Sequence, residues 1–372
     1  MGAYLILGVC AFALTYVATP AVRWFSVRFG IIVQPSDRKV HADPTPTLGG
    51  AAIFLGMVGA GIIAVLLPQQ DFRQVFTSSS EPLGIAAGGL IIFTLGVVDD
   101  IRDLPAPVKL TGQVFASGIV YLAGVQMRFI PLPDQVISLG ADVSVLVTVL
   151  WLVVIINAVN LVDGLDGLAA GIVAIAGSAF FVYTYQLEAT EDLYLAPTAP
   201  LIAIIIVGSA LGFLRHNFHP ATIFMGDSGA MLFGLVLGAA TVSGVGNVAS
   251  DLASTTSGVF LLYFPLLIPL AVLALPIADA LLAIVRRARQ RRSIFHADKQ
   301  HIHHRLMDMG HGHRQAVIVM YIWSALAAGA GLAFSFLDRD DVIFALPIAV
   351  GAIVLYTLFP VLTKLIQERL SA

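Results

Sequence analysis

The sequence contains a single cysteine, Cys10, and few charged residues. One cysteine excludes an intramolecular disulfide and a cysteine-based metal cluster. Only 12% of the 372 residues are charged, against about 25% in soluble domains, which excludes an ordinary soluble surface. The net charge is −3, whereas nucleic-acid-binding domains carry an excess of basic residues, so the chain as a whole is not a nucleic-acid binder. The segment MGAYLILGVC has no basic residues before its apolar run, so we interpret it as a retained first helix rather than a cleaved signal.

Long apolar runs dominate the chain instead. Hydrophobic residues make up 58% of it, and the mean hydropathy is +0.91. A membrane-spanning helix needs roughly 20 apolar residues, and eleven segments meet this condition. We therefore predict an all-α, polytopic integral membrane protein, a single transmembrane catalytic domain over 1–372, with spans near 3–22, 48–67, 83–98, 107–125, 143–160, 167–187, 198–214, 227–246, 258–285, 315–337 and 342–363. The alternative for the third and fourth spans is one broken helix.

The basic residues of the loops predict the orientation. With the N-terminus outside, all 20 lysines and arginines except Arg73, Arg128 and Arg339 fall on one side of the membrane. Lysine and arginine concentrate in cytoplasmic loops, so this side is predicted to be cytoplasmic and to carry the C-terminus. We expect a multi-pass protein of the cell's inner (plasma) membrane.

Aspartates gather where the third predicted span ends. In VVDDIRDLPAPVKLTGQ (97–113), Asp99 and Asp100 close an apolar run, and Asp103 would share a face with Asp99 if the helix continued. Adjacent carboxylates near a membrane need a counter-charge, and oxygen ligands favour Mg²⁺ or Mn²⁺ over zinc. The pattern predicts a magnesium site with Lys109 close by; a solvated helix end is the alternative.

Polar residues with a spacing of three begin in the last turn of the fifth predicted span and continue past its end. In NAVNLVDGLDGLAAG (157–171) they are Asn157, Asn160, Asp163 and Asp166. This spacing puts neighbours on one drifting face of a helix or 3₁₀ end, and Gly164 and Gly167 allow a ligand to approach the backbone. Packing does not account for four polar groups after WLVVII, so we predict a functional segment.

A third motif, RHNFHPATIFMGDSGA (215–230), opens the eighth predicted span. Asp227 could be a helix N-cap or a metal ligand, and the two other carboxylate clusters favour the ligand. Phe224 could belong to the core or form a stacking platform for a planar base. Asn217 lies in the same loop.

Two further loops carry basic residues and histidines. Residues 34–50 contain Lys39, which could face a phosphate or belong to an ordinary basic loop. The longest inside loop, 286–314, contains HIHHRL, whose histidines and Arg305 are suited to contact an anionic substrate. Zinc binding is the alternative there, although neither a cysteine nor a suitably spaced carboxylate accompanies the histidines.

These groups converge on one membrane face, in loops 23–47, 99–107, 160–167, 215–227 and 286–314. The set is suited to phosphate transfer with a divalent cation, because the metal neutralises a diphosphate and the basic side chains stabilise developing charge. Hydrolysis is disfavoured, since neither a Ser–His–Asp arrangement nor a GxSxG motif occurs. A site at helix ends predicts one soluble and one lipid-borne substrate.

The sequence resembles the polyprenyl-phosphate N-acetylhexosamine-1-phosphate transferases in four ordered motifs: VVDDIRDLPAPVKLTGQ, NAVNLVDGLDGLAAG, IFMGDSGA and QHIHHRL. TPTLGG also matches the family's first cytoplasmic loop, and the resemblance covers roughly residues 35–310. It implies transfer of a sugar 1-phosphate from a UDP-sugar to undecaprenyl or decaprenyl phosphate, release of UMP, use of Mg²⁺ and a homodimer.

The resemblance also implies roles for individual positions. It implies catalytic roles for Asp99, Asp100, Asp163 and Asp166, and metal binding by Asp99, Asp100 and Asp227. It implies substrate binding by Lys39, Thr45, Lys109, Asn157, Asn160, Asn217, Phe224, His301, His303, His304 and Arg305. Ala230 departs from the family pattern, since many members have Ser or Thr there.

The histidine spacing separates two branches of the resembled family. The muramyl-pentapeptide branch has three consecutive histidines, whereas His-Ile-His-His is typical of the branch that uses UDP-N-acetylglucosamine (UDP-GlcNAc) for cell-envelope polysaccharides, which we favour. A secondary transporter of a phosphorylated solute is the alternative from another class. Transporter sites usually lie near the membrane midplane, where Asp279 is the main ionisable candidate.

Overall fold

The computed structural model describes residues 1–34, 44–132, 135–189, 198–246, 263–274, 277–278, 289, 302–337 and 339–370. The helices are α1 (Gly2–Arg28), α2 (Gly49–Leu66), α3 (Gln70–Ser78), α4 (Glu81–Arg102), α5 (Ala106–Leu122), α6 (Ala141–Val162), α7 (Leu168–Ala189), α8 (Thr198–Asn217), α9 (Gly226–Gly246), α10 (Tyr263–Ala274), α11 (Ile302–Asp308), α12 (His313–Phe336) and α13 (Arg339–Leu370). The strands are β1 (Ile32–Val33), β2 (Thr45–Pro46), β3 (Phe129–Leu132) and β4 (Gln135–Ser138). This confirms a mostly helical, polytopic protein and adds two antiparallel ribbons, β1–β2 and β3–β4, that the hydropathy pattern did not predict.

Nine of the described helices are long and apolar enough to cross a membrane: α1, α2, α4, α6, α7, α8, α9, α12 and α13. The predicted span 107–125 corresponds to α5, whose 17 residues reach about 26 Å at a rise of 1.5 Å per residue, slightly less than the membrane's hydrocarbon thickness of about 30 Å. The predicted span 258–285 contains α10, and most of its other residues lie outside the described parts. A total of eleven spans stays a prediction.

The third and fourth predicted spans form an antiparallel helix pair rather than one broken helix. Gly84 of α4 lies against Ala123, just past α5, and Leu95 lies against Gly112. Between the two helices, Asp103 has a left-handed φ of 51°, and its N–H donates to the carbonyl of Asp99 at 2.8 Å. Because α4 ends there, Asp103 does not share the face of Asp99, and its side chain is exposed.

Helix α9 is the most fully buried of the nine long helices and packs against α2, α4, α6, α7 and α8. Small residues permit this close packing: a Cβ at Gly96 would lie 2.3 Å from the Cα of Ser228, and one at Gly234 would lie 2.5 Å from the Cα of Ile156. Consecutive long helices along the chain run in opposite directions, whereas α1 and α8, which are neighbours in space, run parallel. The N-terminal ends of α2, α5, α9 and α12 therefore meet the C-terminal ends of α4, α6 and α8 on one side of the bundle.

Candidate active site

A lysine lies between two aspartates on this side of the bundle. The Nζ of Lys109 is 2.5 Å from the Oδ2 of Asp99 and 2.9 Å from the Oδ2 of Asp227. The three residues come from the last turn of α4 and the first turns of α5 and α9. The Asp99 side chain is 2% exposed, whereas those of Lys109 and Asp227 are 26% and 31% exposed. Asp99 is therefore shielded from solvent, whereas Lys109 and Asp227 remain accessible to a ligand.

The neighbouring Asp100 faces the N-terminal end of α9. Its Oδ1 accepts the N–H of Asp227 at 2.8 Å, and its Oδ2 accepts the N–H and the hydroxyl of Ser228 at 3.2 Å and 2.7 Å. Gly226 has a φ of 71°, and a Cβ there would lie 2.5 Å from the Oδ2 of Asp100, so glycine is required. The first N–H groups of a helix lack internal partners and attract carboxylates. Asp100 therefore caps α9 and positions Asp227, a role that the sequence pattern did not indicate.

The polar face of α6 joins the same cluster. The amide of Asn160 lies beside the carboxylate of Asp227. The Nδ2 of Asn157 donates to the Oε1 of Gln113 at 2.7 Å and to the carbonyl of Val153 at 2.8 Å. Gln113 is buried in α5 and was not predicted, because one glutamine in an apolar helix forms no recognisable motif. The structure thus brings Asn160 to the site directly and holds Asn157 beside it.

Asp163 follows α6 and is half-buried. Burial raises the pKa of its carboxyl to about 8, and the charges of three other aspartates act in the same direction: Asp227, Asp100 and Asp166. A carboxyl with so high a pKa among other acids is typical of functional sites. Asp163 therefore belongs electrostatically to the aspartate cluster.

Asp166 and Asn217 hold the glycine-rich turn after α6 against the loop between α8 and α9. The Oδ2 of Asp166 accepts the N–H of Ala221 at 3.1 Å. The Oδ1 of Asn217 accepts the N–H of Gly167 at 3.0 Å, and its Nδ2 donates to the carbonyl of Ile223 at 3.0 Å. Asn217 is only 2% exposed. Its amide therefore supports the two loops, and the implied substrate contact stays a prediction.

The segment before α2 pairs with the segment before α9. The N–H of Phe224 donates to the carbonyl of Pro46 at 2.8 Å, and the N–H of Gly49 donates to the carbonyl of Phe224 at 2.9 Å. Thr45 lies on β2 and is 8% exposed, while Phe224 is half-buried. The end of the first predicted loop therefore reaches the site, and the role of Phe224, as part of the core or as a stacking platform, stays a prediction.

The other predicted substrate contacts are not placed at the cluster. Lys39 and His301 lie outside the described residues, as do the side chains of His303 and His304. Arg305 is described on α11 and is exposed. The roles of these five residues stay predictions.

Helix α12 contributes residues that no sequence motif indicated. The ring of His313 stacks on that of His219, with centroids 4.1 Å apart. The hydroxyl of Tyr321 donates to the carbonyl of Gly167 at 2.5 Å. The first contact joins α12 to the loop between α8 and α9, and the second joins it to the glycine-rich turn. Local sequence patterns could not have found them, because the partners are distant along the chain.

Comparison with known proteins assigns the family. The sequence model of glycosyl transferase family 4 matches residues 82–245, which hold the Asp99–Lys109–Asp227 cluster. The chain is 40% identical to decaprenyl-phosphate N-acetylglucosaminephosphotransferase of Mycolicibacterium smegmatis, over 96% of this chain and 89% of the relative. It is 37% identical to the probable undecaprenyl-phosphate N-acetylglucosaminyl 1-phosphate transferase of Bacillus subtilis, over 82% of this chain and 78% of the relative.

A more distant match comes from the other predicted branch. The chain is 32% identical to phospho-N-acetylmuramoyl-pentapeptide-transferase of a Geobacillus species, over 61% of this chain and 70% of the relative. Longer alignments and higher identities thus accompany the two N-acetylglucosamine relatives. The chain belongs to glycosyl transferase family 4, among the polyprenyl-phosphate N-acetylhexosamine-1-phosphate transferases that its four motifs predicted.

Proposed function

We propose that the protein transfers N-acetylglucosamine 1-phosphate from UDP-GlcNAc to undecaprenyl or decaprenyl phosphate. The products are polyprenyl-diphospho-N-acetylglucosamine and UMP, in the first membrane step of a cell-envelope polysaccharide. The observation that carries the proposal is the position of Lys109 between Asp99 and Asp227 at the ends of three helices. The names of the relatives support GlcNAc as the sugar and a polyprenyl phosphate as the acceptor.

In the proposed reaction an oxygen of the lipid phosphate attacks the β-phosphorus of the UDP-sugar. A P–O bond forms there while the bond between that phosphorus and the bridging oxygen breaks, and UMP leaves with the bonding electrons. The second pKa of a phosphate monoester is about 6, so the acceptor is already mainly a dianion at neutral pH. No strong base is then needed. Asp99 positions the lipid phosphate, and Lys109 stabilises negative charge on the reacting phosphates.

The donor set at the cluster fits a divalent cation. Asp99 and Asp227 already share one cationic group, the ammonium of Lys109, and carboxylate oxygens are the ligands that Mg²⁺ prefers. Asp99 and Asp227 would hold Mg²⁺ or Mn²⁺, and Asp100 would keep Asp227 in place through the helix cap. When bound, the metal supplies positive charge that neutralises a diphosphate.

The proposal includes an orientation. The N-terminus lies outside, eleven helices span the inner (plasma) membrane, and the cluster faces the cytoplasm, where the UDP-sugar is dissolved. Two observations support this arrangement: the concentration of lysine and arginine in loops on one side, and the opposite directions of consecutive helices along the chain, such as α4 and α5. We also propose a homodimer, as the family resemblance implies.

Activity of the purified full-length protein tests the proposed function. We expect UMP release from UDP-GlcNAc only when polyprenyl phosphate and Mg²⁺ are both present, and no competition from UDP-MurNAc-pentapeptide. Asp227→Asn should lower the rate by about 10²- to 10³-fold, while Asp103→Asn, at an exposed neighbouring position, should leave it unchanged. Absence of UMP release, together with uptake of a phosphorylated solute by proteoliposomes, would favour the transporter; its main candidate, Asp279, lies outside the described residues.

A further inference from the structure

We propose that Asp166, His219 and His313 bind a transition-metal ion of the Zn²⁺ type, at a site separate from the Asp99–Asp227 pair. The inference goes beyond the proposed function, which uses a Mg²⁺-type cation held by carboxylates alone. The site is assembled from the turn after α6, the loop between α8 and α9, and the first residue of α12.

The geometry brings three ligand atoms together. One nitrogen or oxygen from each side chain lies within 4.8 Å of the other two, and the Nδ1 of His219 is 2.8 Å from the Oδ2 of Asp166. Around a tetrahedral ion with bonds of about 2.1 Å, ligand atoms lie roughly 3.4 Å apart. Small side-chain rotations therefore suffice to enclose an ion.

His313 supplies an independent observation. Its Nε2 is buried and has no hydrogen-bond partner among the described residues, although buried polar atoms nearly always have one. Its ring lies on that of His219, with an angle of 20° between the ring planes. A metal ion would provide the missing partner for an imidazole nitrogen held beside a second imidazole and a carboxylate.

The ligand types determine which ion fits. Imidazole nitrogens favour Zn²⁺, Co²⁺, Ni²⁺ and Cu²⁺, whereas Mg²⁺ prefers oxygen ligands only. Two histidines and one carboxylate leave a fourth position for water. The surroundings support the ligands, since Arg314 Nε donates to the carbonyl of His219 at 2.8 Å and the N–H of Ala221 donates to Asp166 at 3.1 Å.

A bound ion would add a further link between three segments that hydrogen bonds already connect. Asp166 lies in the same glycine-rich turn as Asp163, so metal binding would restrict this turn. If the proposed function holds, occupancy should inhibit sugar-phosphate transfer. Metal binding itself is independent of that function and is measured separately.

Titration with Co²⁺ tests the site, because imidazole-bound Co²⁺ absorbs visible light. The full-length protein, purified in detergent without a polyhistidine tag and stripped with a chelator, should bind one Co²⁺ with high affinity. Zn²⁺ should displace this Co²⁺, and excess Mg²⁺ should not. His313→Asn and His219→Asn should each weaken binding by at least about tenfold, the lower end of the effect of losing even an outer-shell partner.

Matched histidine variants separate this site from others. His311→Asn should bind Co²⁺ like the wild type, because the Nε2 of His311 is 2.8 Å from the carbonyl of Thr357. The double variant His303→Asn/His304→Asn should also bind normally. Unaltered binding by both His313→Asn and His219→Asn, or loss of binding only in the double variant, would overturn the proposal. Thermal unfolding without metal establishes whether each variant is folded. If only one of His313→Asn and His219→Asn folds, that variant alone is compared with the wild type.

Discussion

Asp100 and Asp227 are joined across two helices, since the Oδ1 of Asp100 accepts the backbone N–H of Asp227 at 2.8 Å. Its neighbour Asp99 instead pairs with Lys109. Successive side chains on a helix point about 100° apart, so two consecutive aspartates at the end of α4 face different partners. Asp99 contributes to the charged cluster, and Asp100 caps the N-terminal end of α9, which carries Asp227.

We expect Asp100→Ala to lower both stability and activity, because α9 loses its cap and Asp227 loses its support. Loss of a capping side chain costs about 1 kcal/mol, which corresponds to a fall in Tm of about 1–2 °C for a chain of this length. Thermal unfolding in detergent and UMP release measure the two effects. Asp103→Asn is the control and should match the wild type in both. An inactive Asp100→Ala with an unchanged Tm would assign Asp100 a direct chemical role instead.

We expect Lys109→Gln to bind Mg²⁺ more tightly and to turn over about 10²-fold more slowly. Asp99 and Asp227 lose the cation that they share, so they attract a metal more strongly, while the phosphates lose a stabilising charge. Calorimetric titration with Mg²⁺ and the Mg²⁺ dependence of UMP release measure these changes. Lys109→Arg keeps the charge and should retain the wild-type Mg²⁺ affinity. An unaltered affinity in Lys109→Gln would show that the lysine and the metal do not compete.

Asp163 predicts a pH dependence of stability. Its pKa is raised from 3.8 to about 8 by folding, so between these values the folded protein binds one more proton than the unfolded chain. The stability that this carboxyl contributes is present at low pH and is lost as the pH rises towards 8. We expect the Tm of Asp163→Asn, relative to the wild type, to increase from pH 5 to pH 8 in a chelator. A constant difference across that range would contradict the raised pKa.

Variants of Asn217 test its structural role, and the Tm of Asn217→Asp relative to the wild type is expected to fall, rather than rise, with pH. Asn217→Ala leaves the N–H of Gly167 and the carbonyl of Ile223 without their partner, and such a buried group costs about 1–3 kcal/mol. Asn217→Asp keeps the acceptor but sets a carboxylate oxygen against the Ile223 carbonyl. We expect a lower Tm for both variants, and for Asn217→Asp a partial recovery at pH 4–5, where a protonated carboxyl can donate. Equal stability of both variants and the wild type would rule out this role.

Much of the helical arrangement could be predicted from local sequence. The span predicted at 143–160 is Ala141–Val162, and that at 227–246 is Gly226–Gly246, because a long apolar run is a local property. Helix α3 was missed, since Phe72 and Val75 are buried within a short and mostly polar segment. The ribbons were missed as well, because strands of two to four residues are too short to show an alternating pattern.

The sequence by itself determined the membrane class, the family and the set of polar motifs, since runs of apolar residues and ordered motifs are contiguous features. Only the tertiary structure decided what each carboxylate does, because that depends on helix ends distant in sequence approaching one another. The packing of Gly96 against Ser228 brings Asp100 to the N-terminal end of α9, where it caps the helix. Asp99 then forms an ion pair with Lys109. The same packing of distant segments unites Asp166 with His219 and His313.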